Sequence, residues 1–224
     1  MIAILAAMKV ECEYLISHTQ NKREVELFGR PFTLGTLCGH EVVIGELSIG
    51  KVNAALTCQQ VVDAFSPRMV LHTGIAGGLQ KHLGVQAVII GESLTYHDFD
   101  PEIKRKFFPH VETFYSDPEL VKLAENALSE EDIPYHKGLI VTGDKFIASN
   151  QEVEDILSRF PALAADMESA AIACCCYISK VPLLVIRSVS DFADDDAKET
   201  YEENKKFSAD VGAKVIIHIL KQLK

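Results

Sequence analysis

The sequence predicts an α/β fold in a single domain, with a mixed central β-sheet that curls toward a barrel and helices on both of its faces. Three observations carry this. Short β-branched runs bounded by turn residues alternate with segments of helical spacing along the whole chain, the pattern of a sheet covered by helices. Residues 22–48 interrupt the alternation with strand-like runs joined only by short turns, so hairpins enter the sheet and make it mixed. No repeat, low-complexity segment or linker divides the 224 residues, so 1–224 reads as one domain.

The elements follow in order. Ile2 to Ala6 is a first buried strand, and Glu11 stands at a helix start just after it. Glu24 to Leu27, Phe32 to Leu37 and Val42 to Gly45 are the hairpin strands, the last lying within a run from Glu41 to Leu47. Val52, Ala55, Leu56, Val62 and Phe65 keep helical spacing. Met69 to Thr73 and Val85 to Ile90 read as strands, and Asp98 to His110 as a long functional loop. Asp117 and Pro118 offer an N-cap and an N1 proline to a helix over Glu119 to Leu128. Gly138 to Val141 is a strand, and Asn150 caps a helix running to Arg159. Glu168 to Ser179 is apolar all round, which predicts a buried helix before the strand Leu183 to Val189. A last helix, Tyr201 to Leu223, carries Phe207, Val211, Val215, Ile219 and Leu223 on one stripe.

Composition narrows the function. With 22 Lys and Arg against 32 Asp and Glu, the net charge of −10 lacks the positive footprint that a nucleic-acid partner requires. A content of 48% hydrophobic and 24% charged residues is that of a globular protein. The longest dense apolar stretch, Ala170 to Ile178, is about half of the roughly 20 residues that span a bilayer, so no membrane partner is expected. The N-terminus lacks a basic region and reads as a mature first strand, not a signal peptide. The six cysteines lack metal-ligand spacing, and Cys174, Cys175 and Cys176 fit buried thiols in a reducing cytosol, so a soluble cytoplasmic protein without a bound metal is expected.

Ligands of α/β sheets collect at strand carboxyl ends. Ala7-Met8-Lys9-Val10-Glu11, Thr73 to Gly78, Thr142 to Ile147 and Ser190-Asp191 occupy such places, and Glu168 opens the buried helix. Singly, each has an ordinary reading. Glu11 alone is a solvated helix-start carboxylate, Gly74 to Gly78 a tight strand-to-helix turn, and Asp144 or Asp191 a helix cap. The glycines match neither a dinucleotide fingerprint nor a P-loop, which sets aside a nicotinamide-dependent oxidoreductase. His97 has no second histidine at metal spacing.

Together and in this order, Ala7-Met8 with Glu11, Ser48 to Val52, Thr73 to Leu79, Tyr96-His97-Asp98, Thr142 to Ile147, Asp166-Met167-Glu168 and Arg187 to Asp191 resemble the 5′-methylthioadenosine/S-adenosylhomocysteine nucleosidases, end to end. The resemblance implies hydrolysis of the N-glycosidic bond of methylthioadenosine, S-adenosylhomocysteine and 5′-deoxyadenosine, with water as co-substrate, no cofactor, and a homodimer. It implies Glu11 as the carboxylate that deprotonates the water and Asp191 as the acid that protonates adenine N7, with Ser190 beside it. Glu168 would bind the ribose hydroxyls and Met167 pack on the sugar. Phe146 would stack on the purine, and the backbone of Ile147 read its edge. Arg187 would support the water site and Tyr201 meet the 5′ substituent, while Ile75 occupies a position near sugar and water.

The chain departs from the family pattern at Ile75, which stands where a small hydroxyl residue is usual, at Ser48 for glycine, and at Asp166 for glutamate. Its loop from Phe99 to His110 is short and carries Lys104-Arg105-Lys106. Those residues are a solvated basic face or recognise an anionic 5′ group, such as that of S-adenosylhomocysteine or a futalosine-type nucleoside. The alternatives are a futalosine-type hydrolase, a phosphorolytic purine nucleoside phosphorylase and a silent nucleoside-binding protein. A phosphate would meet Glu11 and the methyl groups of Ile75, which favours hydrolysis.

Overall fold

The computed structural model describes residues 1–223. It contains strands β1 (Ile2–Ala6), β2 (Gln20–Leu27), β3 (Arg30–Leu37), β4 (His40–Glu46), β5 (Val70–Gly78), β6 (Val88–Tyr96), β7 (Phe114–Tyr115), β8 (Tyr135–Thr142), β9 (Ala162–Asp166) and β10 (Leu183–Asp191). The helices are α1 (Lys9–His18), α2 (Lys51–Phe65), α3 (Pro101–Lys106), α4 (Pro118–Glu130), α5 (Asn150–Leu157), α6 (Ser169–Ser179) and α7 (Ala197–Gln222).

Pairing runs β10-β6-β8-β9-β5, and β5 pairs again with β10, so these five strands close a barrel of mixed direction. From β5 the sheet continues through β1 and β4, both parallel, into the antiparallel hairpins β4-β3-β2. The curl toward a barrel is therefore a full closure, which leaves these strands no free edge. Apolar side chains of α2 and α6 form one core with Val43, Val185 and Ile140, and those of α1, α4 and α7 a second with Ile4, Leu71 and Ile186. Helices thus cover both faces.

Local chemistry explains three of the helix starts. The Asp117 carboxylate accepts from the amides of Glu119 and Leu120 ahead of Pro118, as its spacing predicts. Ser149, not Asn150, caps α5, and that helix stops at Leu157 instead of Arg159. Glu168 is the cap position of α6, which starts at Ser169, and α7 starts at Ala197, ahead of Tyr201. The loop Asp98 to His110 contains the short helix α3, capped by Asp100.

Larger differences come from tertiary pairing. Residues 74–78 are not a turn: β5 runs through them, because β10 pairs as far as Gly77 and β9 pairs with Gly77 and Gly78. The strand expected at Val85 to Ile90 begins at Val88 and runs to Tyr96 between β10 and β8. β9 is mostly alanine, a poor strand former, and exists because β8 and β5 bond it from both sides.

Candidate active site

At the carboxyl ends of β1, β5, β8, β9 and β10 lies a cleft of about 630 Å³, part of it open to solvent. Glu11, Ile75, Phe146, Ile147, Met167, Glu168, Ser190, Asp191 and Tyr201 all border it, brought from α1, β5, β10 and α7 and from the turns after β8 and β9. Arg187 alone among the candidates lies behind the wall, fully buried. Ala7, Met8, Ile49, Ala76, Gly77, Lys145, Ala165, Asp166 and Ala193 complete the lining. Ala76 and Gly77 fall within the motif Thr73 to Leu79, whereas Ala193, a small residue with no chemical signature of its own, gives the sequence no sign of its place here.

Glu11 is buried and not solvated, at 1% exposure. Its position in the first turn of α1 turns the carboxylate back to accept from Met8 N at 2.8 Å and, across the sheet, from Ile75 N at 2.9 Å. Burial pushes its pKa up, while Arg187 and these backbone amides pull it back. Gly74 is required by close approach: a Cβ there would collide with both Glu11 Oε1 and Arg187 Nη1.

Asp191 is the last residue of β10, not a helix cap. A β-bulge at Ser190, between the pairs Val189 with Ala76 and Asp191 with Gly77, lets both Ser190 and Asp191 border the cleft. The Asp191 carboxyl accepts from Ser190 Oγ at 2.7 Å and from Ala193 N at 2.9 Å. Burial raises its pKa, against the pull of these two bonds.

Glu168 accepts from Gly50 N at 3.1 Å and from Arg187 Nη2 at 3.4 Å. Burial, with Asp166 and Glu11 nearby, pushes it up to about 7 despite Arg187. Arg187 binds Asp166 through Nε and Nη2 at 2.9 Å each. Asp166 also accepts from Thr142 Oγ1 at 2.6 Å, from Ser169 Oγ and from the amides of Glu168 and Ser169, so it anchors both Arg187 and the start of α6. Arg187 pulls the Asp166 pKa below its ordinary value.

Phe146 and Tyr201 meet edge to face at 5.5 Å, and the Tyr201 hydroxyl donates to Met8 Sδ at 3.2 Å, which ties α7 to the turn after β1. The turn Thr142 to Ile147 is fixed from outside. Lys51 Nζ bonds both Asp98 oxygens at 2.7 Å, Asp98 accepts from Asp144 N, and Asp144 accepts from Lys51 N at the start of α2. Asp144 thus caps a helix remote in sequence.

The basic loop faces elsewhere. Lys104 is buried and donates to Thr95 Oγ1 at 2.9 Å and to the carbonyls of Tyr96 and Glu112, while Arg105 pairs with Glu112 and Lys106 with Glu102. None of the three borders the cleft of its own chain, and each is held there by other partners. Lys104 is not part of a solvated face either. Lys145 does border the cleft and is paired with Glu152.

Cys175 and Cys176 are core residues, with the Cys176 and Cys58 sulfurs 3.9 Å apart, and all six cysteines are free thiols. Among the described residues no group of three His, Cys, Asp or Glu side chains is placed to hold a metal ion, and no helix is long and apolar enough to cross a membrane.

A closed mixed barrel extended by a hairpin sheet, with buried carboxyls at one end, is the architecture of the nucleoside phosphorylases and nucleosidases. The model of the phosphorylase superfamily matches residues 1–224, and the chain belongs to that superfamily. Within it, the chain falls among the 5′-methylthioadenosine/S-adenosylhomocysteine nucleosidases: it is 35% identical to the one from Staphylococcus carnosus, with 100% of each chain covered. The Streptococcus pneumoniae nucleosidase bound to a transition-state inhibitor, MT-ImmA, superposes with a TM-score of 0.95 at 36% identity, covering 100% of this chain and 99% of that one. The futalosine hydrolase of Helicobacter pylori superposes with a TM-score of 0.94 at 31% identity, covering 99% and 97%.

Proposed function

We propose that this chain hydrolyses the N-glycosidic bond of 5′-methylthioadenosine and S-adenosylhomocysteine, and of 5′-deoxyadenosine, releasing adenine and the 5′-substituted ribose. The observation that carries this reading is two carboxyls with raised pKa values in one cleft, Glu11 beside Arg187 and Asp191 beside Ser190.

Cleavage of C1′–N9 builds positive charge on the sugar and negative charge on the purine, so each end needs its own stabiliser. Asp191, whose hold on a proton burial strengthens, gives that proton to N7 of the departing adenine, and Ser190 holds the carboxylate left behind. Glu11 orients a water toward C1′ and takes its proton as the C–O bond forms. Its raised pKa makes it a stronger base than a solvated carboxylate. Glu168 accepts from the ribose hydroxyls, Met167 packs on the sugar, Phe146 stacks on the base and the Ile147 backbone reads its edge. Tyr201 and Met8 form the wall for the 5′ substituent. With no unpaired cation of the 104–106 loop on the cleft, an uncharged thioether end suits it.

Residues 1–224 act as one catalytic domain in the cytoplasm, serving methionine salvage. A homodimer is supported by large apolar side chains exposed on α2, on α6 and just after α3: Val52, Leu56, Phe107, Phe108 and Tyr177. Chromatography after incubation with methylthioadenosine, adenosylhomocysteine, 5′-deoxyadenosine, inosine and futalosine, with and without phosphate, tests the activity. Free adenine released from the first two without phosphate is expected. Release of no base, or release only with phosphate, refutes hydrolysis.

A further inference from the structure

Arg187 has a partner that is not an acid. Its Nη2 lies 2.5 Å from Nε2 of His72, a fully buried histidine on β5. The other imidazole nitrogen, Nδ1, lies 2.8 Å from Leu5 O. A carbonyl only accepts and a guanidinium only donates, so the two contacts together place the hydrogen of His72 on Nδ1 and leave Nε2 as an acceptor. Burial and the charge of Arg187 push the imidazole pKa down to about 3, so it is neutral at any working pH.

Asp166 by itself does not fix the guanidinium. Both Nε and Nη2 reach the same atom, Oδ2, because Oδ1 is taken by Thr142 Oγ1 and the amides of Glu168 and Ser169. A fork closed on one oxygen lacks the two parallel bonds that make an Arg–carboxylate pair rigid. His72 Nε2, at 2.5 Å from Nη2 against 3.4 Å for Glu168 Oε2, is the closer second fixed point. The remaining nitrogen, Nη1, is buried without a partner among the described residues, and it shares the face of Gly74 with Glu11 Oε1.

We propose that His72 is a positioning residue for the hydrolysis: by accepting from Nη2 it sets the rotation of the Arg187 guanidinium and delivers Nη1 to the water that Glu11 activates. The inference rests on the nucleosidase reading. A neutral acceptor suits this place, since a carboxylate there would add a negative charge near Glu11, Glu168 and Asp166 and weaken the hold of Arg187 on them.

Two substitutions separate the nitrogens. His72→Gln keeps an acceptor at the ε position toward Nη2, whereas His72→Asn is one bond shorter and keeps only the contact to Leu5. With methylthioadenosine, His72→Gln is expected to retain kcat within about threefold, and His72→Asn to lose roughly 10- to 100-fold in kcat at little changed KM, the scale of a misplaced catalytic group. The acid limb of the His72→Asn pH profile moves upward, because Glu11 loses part of the Arg187 field. Equal losses in the two variants, or Asn outperforming Gln, overturn the proposal. Nitrogen-15 NMR of the wild-type histidines tests it even if the chain releases no adenine, which would refute the nucleosidase reading separately, or if the variants fail to fold. His72 must show a single neutral Nδ1–H form from about pH 5 to about pH 8, and titration in that range or the Nε2–H form overturns it.

Discussion

Replacing Asp191 by Asn removes one proton and almost no volume, so it isolates the acid. The side chain is buried at 1% exposure, accepts from Ser190 Oγ at 2.7 Å and from Ala193 N at 2.9 Å, and borders the cleft at the end of β10. In Asp191→Asn the amide oxygen still accepts from Ala193 N, and the amide nitrogen donates to Ser190 Oγ once that hydroxyl rotates, so folding is little affected. What is lost is a proton donor to N7 whose affinity burial has already raised. General acid catalysis is typically worth 10²- to 10⁴-fold, which corresponds to about 3 to 5 kcal/mol on the barrier. The assay is steady-state release of adenine from methylthioadenosine over a range of substrate concentrations, read by chromatography with the thermal midpoint measured beside it. The expected outcome is a fall in kcat of at least about 100-fold with KM held within a few-fold, since the purine still stacks on Phe146. Turnover within tenfold of the wild type, by a variant that melts normally, would refute the assignment of the acid.

Other expectations follow from the same network. Burial pushes the Glu168 pKa up to about 7, and a ribose hydroxyl donates best to the ionised form, so affinity for the nucleoside should improve as pH rises through that value; Glu168→Gln should flatten the dependence, and an unchanged profile counts against the ribose role. Asp166→Asn leaves the Arg187 charge without its closest counter-ion in the interior, a loss of roughly 3 to 5 kcal/mol, so calorimetry should show a midpoint lower by about 10 °C, and a drop of under about 2 °C sinks this account. The folded pKa of Asp166 is lowered, so its contribution to stability is present above the unfolded value and fades as pH falls through the folded one, which acid melts compared with Asp166→Asn can test. Lys104→Met should lower stability, because Thr95 and two carbonyls lose their partner, yet leave the ratio of kcat/KM for adenosylhomocysteine and methylthioadenosine within twofold. A selective loss for adenosylhomocysteine would restore the loop to substrate recognition.

What the sequence determined by itself was local and periodic. The strands Ile2–Ala6 and Leu183 onward, the hairpins, the Asp117 cap and the buried α6 follow from patterns within a few residues, and the order of motifs from Glu11 to Asp191 pointed to the site. The tertiary structure decided what depends on partners far along the chain. Closure of the barrel by the pairing of β10 with β5 keeps residues 74–78 extended and makes a strand of the alanines in β9, because ladder bonds from both sides outweigh weak propensity. Lys104 reads as a surface charge until Thr95 and Glu112 are seen around it. His72 reads as one more strand residue, since nothing in its own segment shows that Leu5, Arg187 and Asp166 converge there. Carboxyls that the sequence can only count acquire a raised proton affinity when burial strips their solvent, as at Glu11 and Asp191.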